Sequence, residues 1–168
     1  RLRTVTGVQT CALPISGARM LNFAPEPDSK DTESESNAGT VPSELKQWPI
    51  QLHLVPPTAP FFENADVLLA ADCVAFSVGD FHRKHLKGRA LAVACPKLDQ
   101  GQEIYLQKLV SMIDDAKINT LNVMIMEVLC CSGLMSLAKE AASRAQRKVP
   151  VKQIRVGLRG DILSEDWL

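Results

Sequence analysis

The chain has no surplus of charge of either sign: 19 Lys and Arg stand against 19 Asp and Glu among 168 residues. A nucleic-acid binder needs a basic face to neutralise phosphates, and none stands out here. No apolar run approaches the ~20 residues of a membrane-spanning helix. No GxGxxG or GxxxxGK[ST] loop occurs, which counts against a dinucleotide or nucleoside triphosphate site. No CxxC occurs anywhere, so no linear zinc or ferredoxin spacing can be read off. No export signal is expected either, since the apolar stretch near the start is short and interrupted by Pro14. The expectation is therefore a cytoplasmic protein without a membrane or nucleic-acid partner, whose thiols stay reduced.

What is present begins with an oddity. Residues 5–15, VTGVQTCALPI, read as one frame of a common sequencing-library adapter. Residues 1–16, with Cys11, are set aside as an artefact. The expectation that follows is a truncated gene with an amino-terminal module missing. Residues 17–44 are acidic and rich in Ser and Pro, including APEPDSKDTESESNAGTVPSE. They lack the apolar side chains that offset ordering entropy, so they read as a disordered linker. Residues 45–65 carry prolines at 49, 56, 57 and 60, which forbid a long helix. Trp48, Ile50, Leu52, Leu54, Phe61 and Phe62 make this stretch an apolar lead-in arm that straps onto the domain.

Residues 66–168 alternate. Near-continuous apolar runs at 66–72, 89–94, 120–128 and 152–158 read as strands covered on both faces. Helices are expected near 76–86, 101–116 and 133–147. Tyr105, Leu109, Met112 and Ala116 share one helical face, and Leu134, Leu137, Ala138, Ala141, Ala142 and Ala145 share another. Alternation with short connections gives an α/β, three-layer, Rossmann-like domain of about four mostly parallel strands.

The remaining cysteines stand at the ends of three of these runs. Cys73 follows the first, Cys95 the second, and Cys130 and Cys131 the third. In an open parallel sheet the carboxyl ends of the strands form the ligand-binding edge. Four thiols distant in sequence would then meet at one edge, as metal or redox ligands. A helix opening at CCSG, capped by Ser132, would stabilise a thiolate there. His82 and His85 read as a solvated face among basic residues, and His53 as structural. Asp72, Asp80, Asp99 and Glu127 lie near strand ends and are candidates for acid–base work.

Three long phrases carry a resemblance: WPIQLHLVPPTAPFFENADVLLAADCVAF, FHRKHLKGRALAVACPKLD and VMIMEVLCCSGL. Over about residues 42–160 the chain resembles the carboxyl-terminal region of a family of ferredoxin-type 4Fe–4S iron–sulfur binding proteins of anaerobic bacteria and archaea. Members typically begin with a ferredoxin-like module whose CxxCxxCxxxCP runs hold the clusters. The resemblance implies an electron-transfer protein with a protein redox partner, and an iron–sulfur cluster either here or only on the absent module. It carries the family's cysteine positions onto Cys73, Cys95, Cys130 and Cys131. The family has proline before the double cysteine, where this chain has Leu129. CCSG also faintly resembles the double-cysteine motif of heterodisulfide-reductase-type subunits, without that motif's later CxxC. Two other classes remain open from the residues: an accessory or small-molecule-binding domain with buried reduced cysteines, and a structural zinc site.

Overall fold

A computed structural model describes residues 19–23 and 42–168. The adapter-like stretch and most of the expected linker lie outside the described residues. A short strand, β1 (Leu21–Asn22), falls inside the stretch read as linker and pairs antiparallel with β2 (Gln47–Trp48) of the arm.

The domain proper is a five-stranded sheet. Its strands are β3 (Asp66–Ala71), β4 (Ala90–Ala94), β5 (Thr120–Met126), β6 (Val151–Val156) and β7 (Ile162–Trp167). Their spatial order is β4–β3–β5–β6–β7, with the first four parallel and β7 antiparallel to β6. From Leu121 to Met126 every residue of β5 is buried, which explains why it reads as an unbroken apolar run rather than an alternating one. β7 escapes the sequence reading because it is an exposed edge strand, ILSEDW, with no core face to impose a pattern. Lys152 pairs with Glu165 across that edge.

Two long helices, α2 (Gln102–Asp114) and α3 (Ser132–Arg144), pack against each other over the sheet. Gly101 starts α2 at φ +73°, a left-handed backbone that glycine adopts without a Cβ clash. The predicted faces are the ones buried: Tyr105, Leu109 and Met112 on α2 with Ala116 just beyond its end, and Leu134, Leu137, Ala138 and Ala141 on α3. Ala142 and Ala145 are only partly covered.

The helix expected near 76–86 is replaced by two shorter pieces, α1 (Val74–Ser77) and a wide π-type turn over Phe81–Leu86. The bulged turn rotates His85 inward, so it is buried, which corrects the expected solvated histidine face. Burial pushes its pKa down.

The arm does more than cover apolar surface. Residues 50–52 run parallel to β4: Val93 donates to the Ile50 carbonyl at 2.8 Å, and Leu52 donates to Val93 at 2.9 Å. The Gln47 side chain continues this pairing by bonding both the N–H and the C=O of Leu91, each at 3.0 Å. An edge strand left bare would be a template for pairing with another chain. The arm occupies that edge, anchored by the fully buried Leu52 and Phe62.

Candidate functional site at the carboxyl edge of the sheet

The chain runs from β3 to β4 on one side, then crosses back to β5 on the other. Residues just after β3 and β5 therefore flank the point where the strand order reverses, the usual position of ligands in such sheets. Two groups of side chains gather along this edge.

The first group is sulfur. Cys73 directly precedes α1 and is exposed; Cys130 is exposed and Cys131 buried in the turn Leu129–Cys131 that leads into α3. Burial raises the Cys131 thiol above its usual range. The Met126 amide opposes this, while Cys130, which hydrogen-bonds to it, and Cys73 reinforce it. α3 is not capped by Ser132: the Ser132 hydroxyl donates to the Leu129 carbonyl at 2.7 Å, within the preceding turn. Beside the pair opens a hollow of about 330 Å³, whose lining includes Glu127, Leu129, Ser132, Lys139 and Arg155. Glu127 accepts from the Leu158 N–H at 2.9 Å.

Cys95 belongs to different company. β3 lies between β4 and β5, so two strand spacings of about 4.8 Å separate the β4 and β5 ends. The loop after β4 does reach toward α3: a Cβ on Gly133 would stand 3.2 Å from Pro96 Cβ. The Cys95 N–H, however, donates to Asp99 Oδ2 at 2.7 Å, within the turn that closes on Asp99. Cys95 acts electrostatically on Tyr105, and it is Cys73 and Cys130 that act on Cys131. Among the described residues, no three His, Cys, Asp or Glu side chains stand close enough to hold one metal ion. The four-thiol ligand set expected from the sequence is not assembled.

The second group is carboxylate. Asp99 Oδ2 also accepts the Tyr105 hydroxyl at 2.6 Å. Burial of the ring first, then this bond and the nearby carboxylates of Asp99 and Asp72, push the phenol well above its ordinary range. Asp72 follows β3, and its Oδ1 is buried without a hydrogen-bond partner among the described residues. Burial first, then the charge of Asp99, raises its pKa, and Gln51 partly offsets them.

Asp72 lines a cleft of about 350 Å³ between the arm and β4 on one side and α1 with the π-type turn on the other. Its walls include Ile50, Phe76, Phe81, Leu91 and Val93. The other acid–base candidate, Asp80, is paired at the surface with Arg83 and Lys84, at 2.8 and 3.0 Å. His53 is structural as expected: it packs on Tyr105 at 4.6 Å between ring centroids and bonds the Gln100 carbonyl. His82 Nδ1 accepts the Glu44 N–H at 3.1 Å.

Sequence reading missed Gln51 and Tyr105 as site residues, and the cleft itself. Tyr105 was legible only as a core position. Its hydroxyl, the one polar atom on an apolar helical face, was the available signal, since buried tyrosines find a partner.

A model of the Rossmann-like domain family matches residues 59–168. An uncharacterized protein of Archaeoglobus fulgidus is 30% identical over 120 residues, covering 71% of this chain and 83% of the relative. No solved structure matches the chain.

Proposed function

The chain belongs to the Rossmann-like domain family, and within it we propose a redox domain that exchanges electrons through thiols at the sheet switch point. The observation that carries this reading is one exposed thiol after β3 and a vicinal pair after β5, with Cys131 under the influence of both Cys73 and Cys130. A cluster bound by Cys73, Cys95, Cys130 and Cys131 does not fit the geometry, because no three donors converge. The iron–sulfur chemistry implied by the resemblance is therefore not assigned to these residues.

The reaction is thiol–disulfide exchange. The exposed Cys73 thiolate attacks one sulfur of an external disulfide and forms a mixed disulfide, expelling the other half as a thiolate. Cys131 then loses its proton to solvent and attacks the Cys73 sulfur, expelling the second thiolate. The domain loses two electrons and the external disulfide gains them. Burial holds the Cys131 pKa up, so the thiol stays protonated at rest and leaves the first attack to the exposed Cys73. The partner in this reading is a protein redox carrier in the cytoplasm, where thiols are kept reduced. The balanced charge of the chain gives nucleic acid no electrostatic footing. No described helix is long and apolar enough to cross a membrane.

The test is anaerobic titration of the full chain with oxidised glutathione, followed by thiol counting and peptide mapping. The expected product has one internal Cys73–Cys131 disulfide. Thiols that all remain free, or glutathione adducts that never resolve, overturn the proposal. Reconstitution with iron and sulfide is the complementary measurement. A brown protein whose iron is lost in Cys73→Ser and Cys131→Ala would return these thiols to a cluster role.

A further inference from the structure

The cleft beside Asp72 has no part in thiol exchange, and its construction is that of a ligand site. Its volume of about 350 Å³ lies at the small end of the ~300–1,000 Å³ typical of ligand pockets. The walls are apolar, from Ile50 of the arm, Leu91 and Val93 of β4, and Phe81 and Leu86 of the π-type turn. One end is polar: Gln51 and Asp72. Asp72 Oδ1 is buried there with no partner. Native structures pair the large majority of their buried polar atoms; of the two buried side-chain atoms left unpaired among the described residues, Trp48 Nε1 and Asp72 Oδ1, only the second belongs to a residue lining the cleft.

Charge narrows the ligand. Asp99 stands close enough to act on Asp72, and Asp99 already accepts from the Cys95 N–H and the Tyr105 hydroxyl. The polar end thus joins two acidic groups; Asp99 accepts both of its bonds on Oδ2, and Asp72 Oδ1 is the fully buried carboxylate oxygen without a partner. His82 also lines the cleft; its Nδ1 accepts from the Glu44 N–H, which makes Nε2 the ring nitrogen that can donate. A carboxylate or phosphate ligand would be repelled by the two aspartates. A cation would relieve them, and in apolar surroundings a charge-assisted N–H···O bond is among the stronger contacts available.

We propose that this cleft binds a small primary amine: an ammonium group on Asp72 Oδ1, with an apolar or aromatic body lying along Ile50, Leu91 and Val93. The arm supplies one wall through Ile50 and Gln51, so the strap that protects the β4 edge also completes the pocket. Phe76, on α1, is largely exposed at the cleft and offers its ring as a cover for the bound body.

Three probes of one shape test the charge requirement on the full chain: 2-phenylethylamine, 2-phenylethanol and 3-phenylpropionate, each titrated by isothermal calorimetry and methyl NMR. The amine is expected to bind saturably, at least about tenfold tighter than the alcohol, and the carboxylate not at all; tenfold corresponds to about 1.4 kcal/mol. Asp72→Asn should cost the amine at least tenfold and leave the alcohol unchanged. Because Asp72→Asn alters a half-buried group, a second variant is needed that starts from a solvent-facing position. Ala75→Trp, from the exposed cleft rim, should fill the space and abolish binding of all probes while the far-ultraviolet spectrum stays native. No saturable amine binding, equal affinity for the three probes, or an unchanged amine affinity in Asp72→Asn would each overturn the proposal.

Discussion

The two sides of β3 share one sheet edge and differ in almost every physical respect. On the β5 side the functional atoms are sulfurs, two of them exposed, and few hydrogen bonds hold them. On the β4 side the functional atoms are oxygens: Asp99 Oδ2 holds the Cys95 N–H and the Tyr105 hydroxyl, while the buried Asp72 Oδ1 beside the arm has no partner. In the two proposals the first side reacts and the second binds. A site that exchanges covalent bonds must leave its nucleophile accessible, whereas a site that recognises a charge needs a dry, fixed surround. Strand order divides them: because β3 separates β4 from β5, cysteines at equivalent strand ends fall into different neighbourhoods.

This division is open to attack by mutation. The largest effect is expected from Asp99→Ala, which strands the Cys95 N–H and the Tyr105 hydroxyl together. Loss of two hydrogen bonds to a charged acceptor should cost about 3 kcal/mol in urea unfolding. The rate of thiol oxidation should stay within about twofold of wild type once folding is confirmed, since a factor of two is only ~0.4 kcal/mol. An equal collapse of both would show that the two sides are one site.

Tyr105→Phe should follow, at about 1–2 kcal/mol, since it removes one of the two donors that Asp99 Oδ2 holds. Cys131→Ala should cost about 1 kcal/mol, from a small cavity at a buried sulfur. It should also halt oxidation at the mixed disulfide, with amine binding untouched. Mass spectrometry reads the first of these results and calorimetry the second.

The smallest effect is expected from Asp72→Asn and depends on pH. The folded-state pKa of Asp72 is raised, so its stabilising contribution is present below the ordinary carboxylate value and is lost as pH rises through the raised one. The variant should therefore unfold at a higher temperature than wild type at neutral pH, and the gap should close as pH falls below about 4. A gap that persists at low pH would assign the effect to packing rather than to the buried charge.

Much of the fold was legible because periodicity is a local property. The strands at 66–72, 89–94 and 120–128 and the helices at 101–116 and 133–147 needed only the spacing of their apolar residues. The Phe81–Leu86 turn was not legible, because a π-type bulge shifts which residues face inward without changing the spacing that precedes it. β7 was invisible for the opposite reason: with no buried face, Ile162–Trp167 carries no pattern. The arm was read as a strap from its prolines and aromatics. Its pairing with Val93 is a backbone event that no side chain announces.

By itself the sequence determined that an α/β sheet forms and that Cys73, Cys95, Cys130 and Cys131 stand just beyond its strands, because burial requires apolar runs and the cysteines follow those runs. Only the tertiary structure decided who meets whom. The order β4–β3–β5 groups Cys73 with Cys130 and Cys131, leaves Cys95 with Asp99 and Tyr105, and folds the arm over Asp72. Contact between groups far apart in the chain depends on strand order and on the direction of each crossover, and neither is encoded in the spacing of residues along any one element.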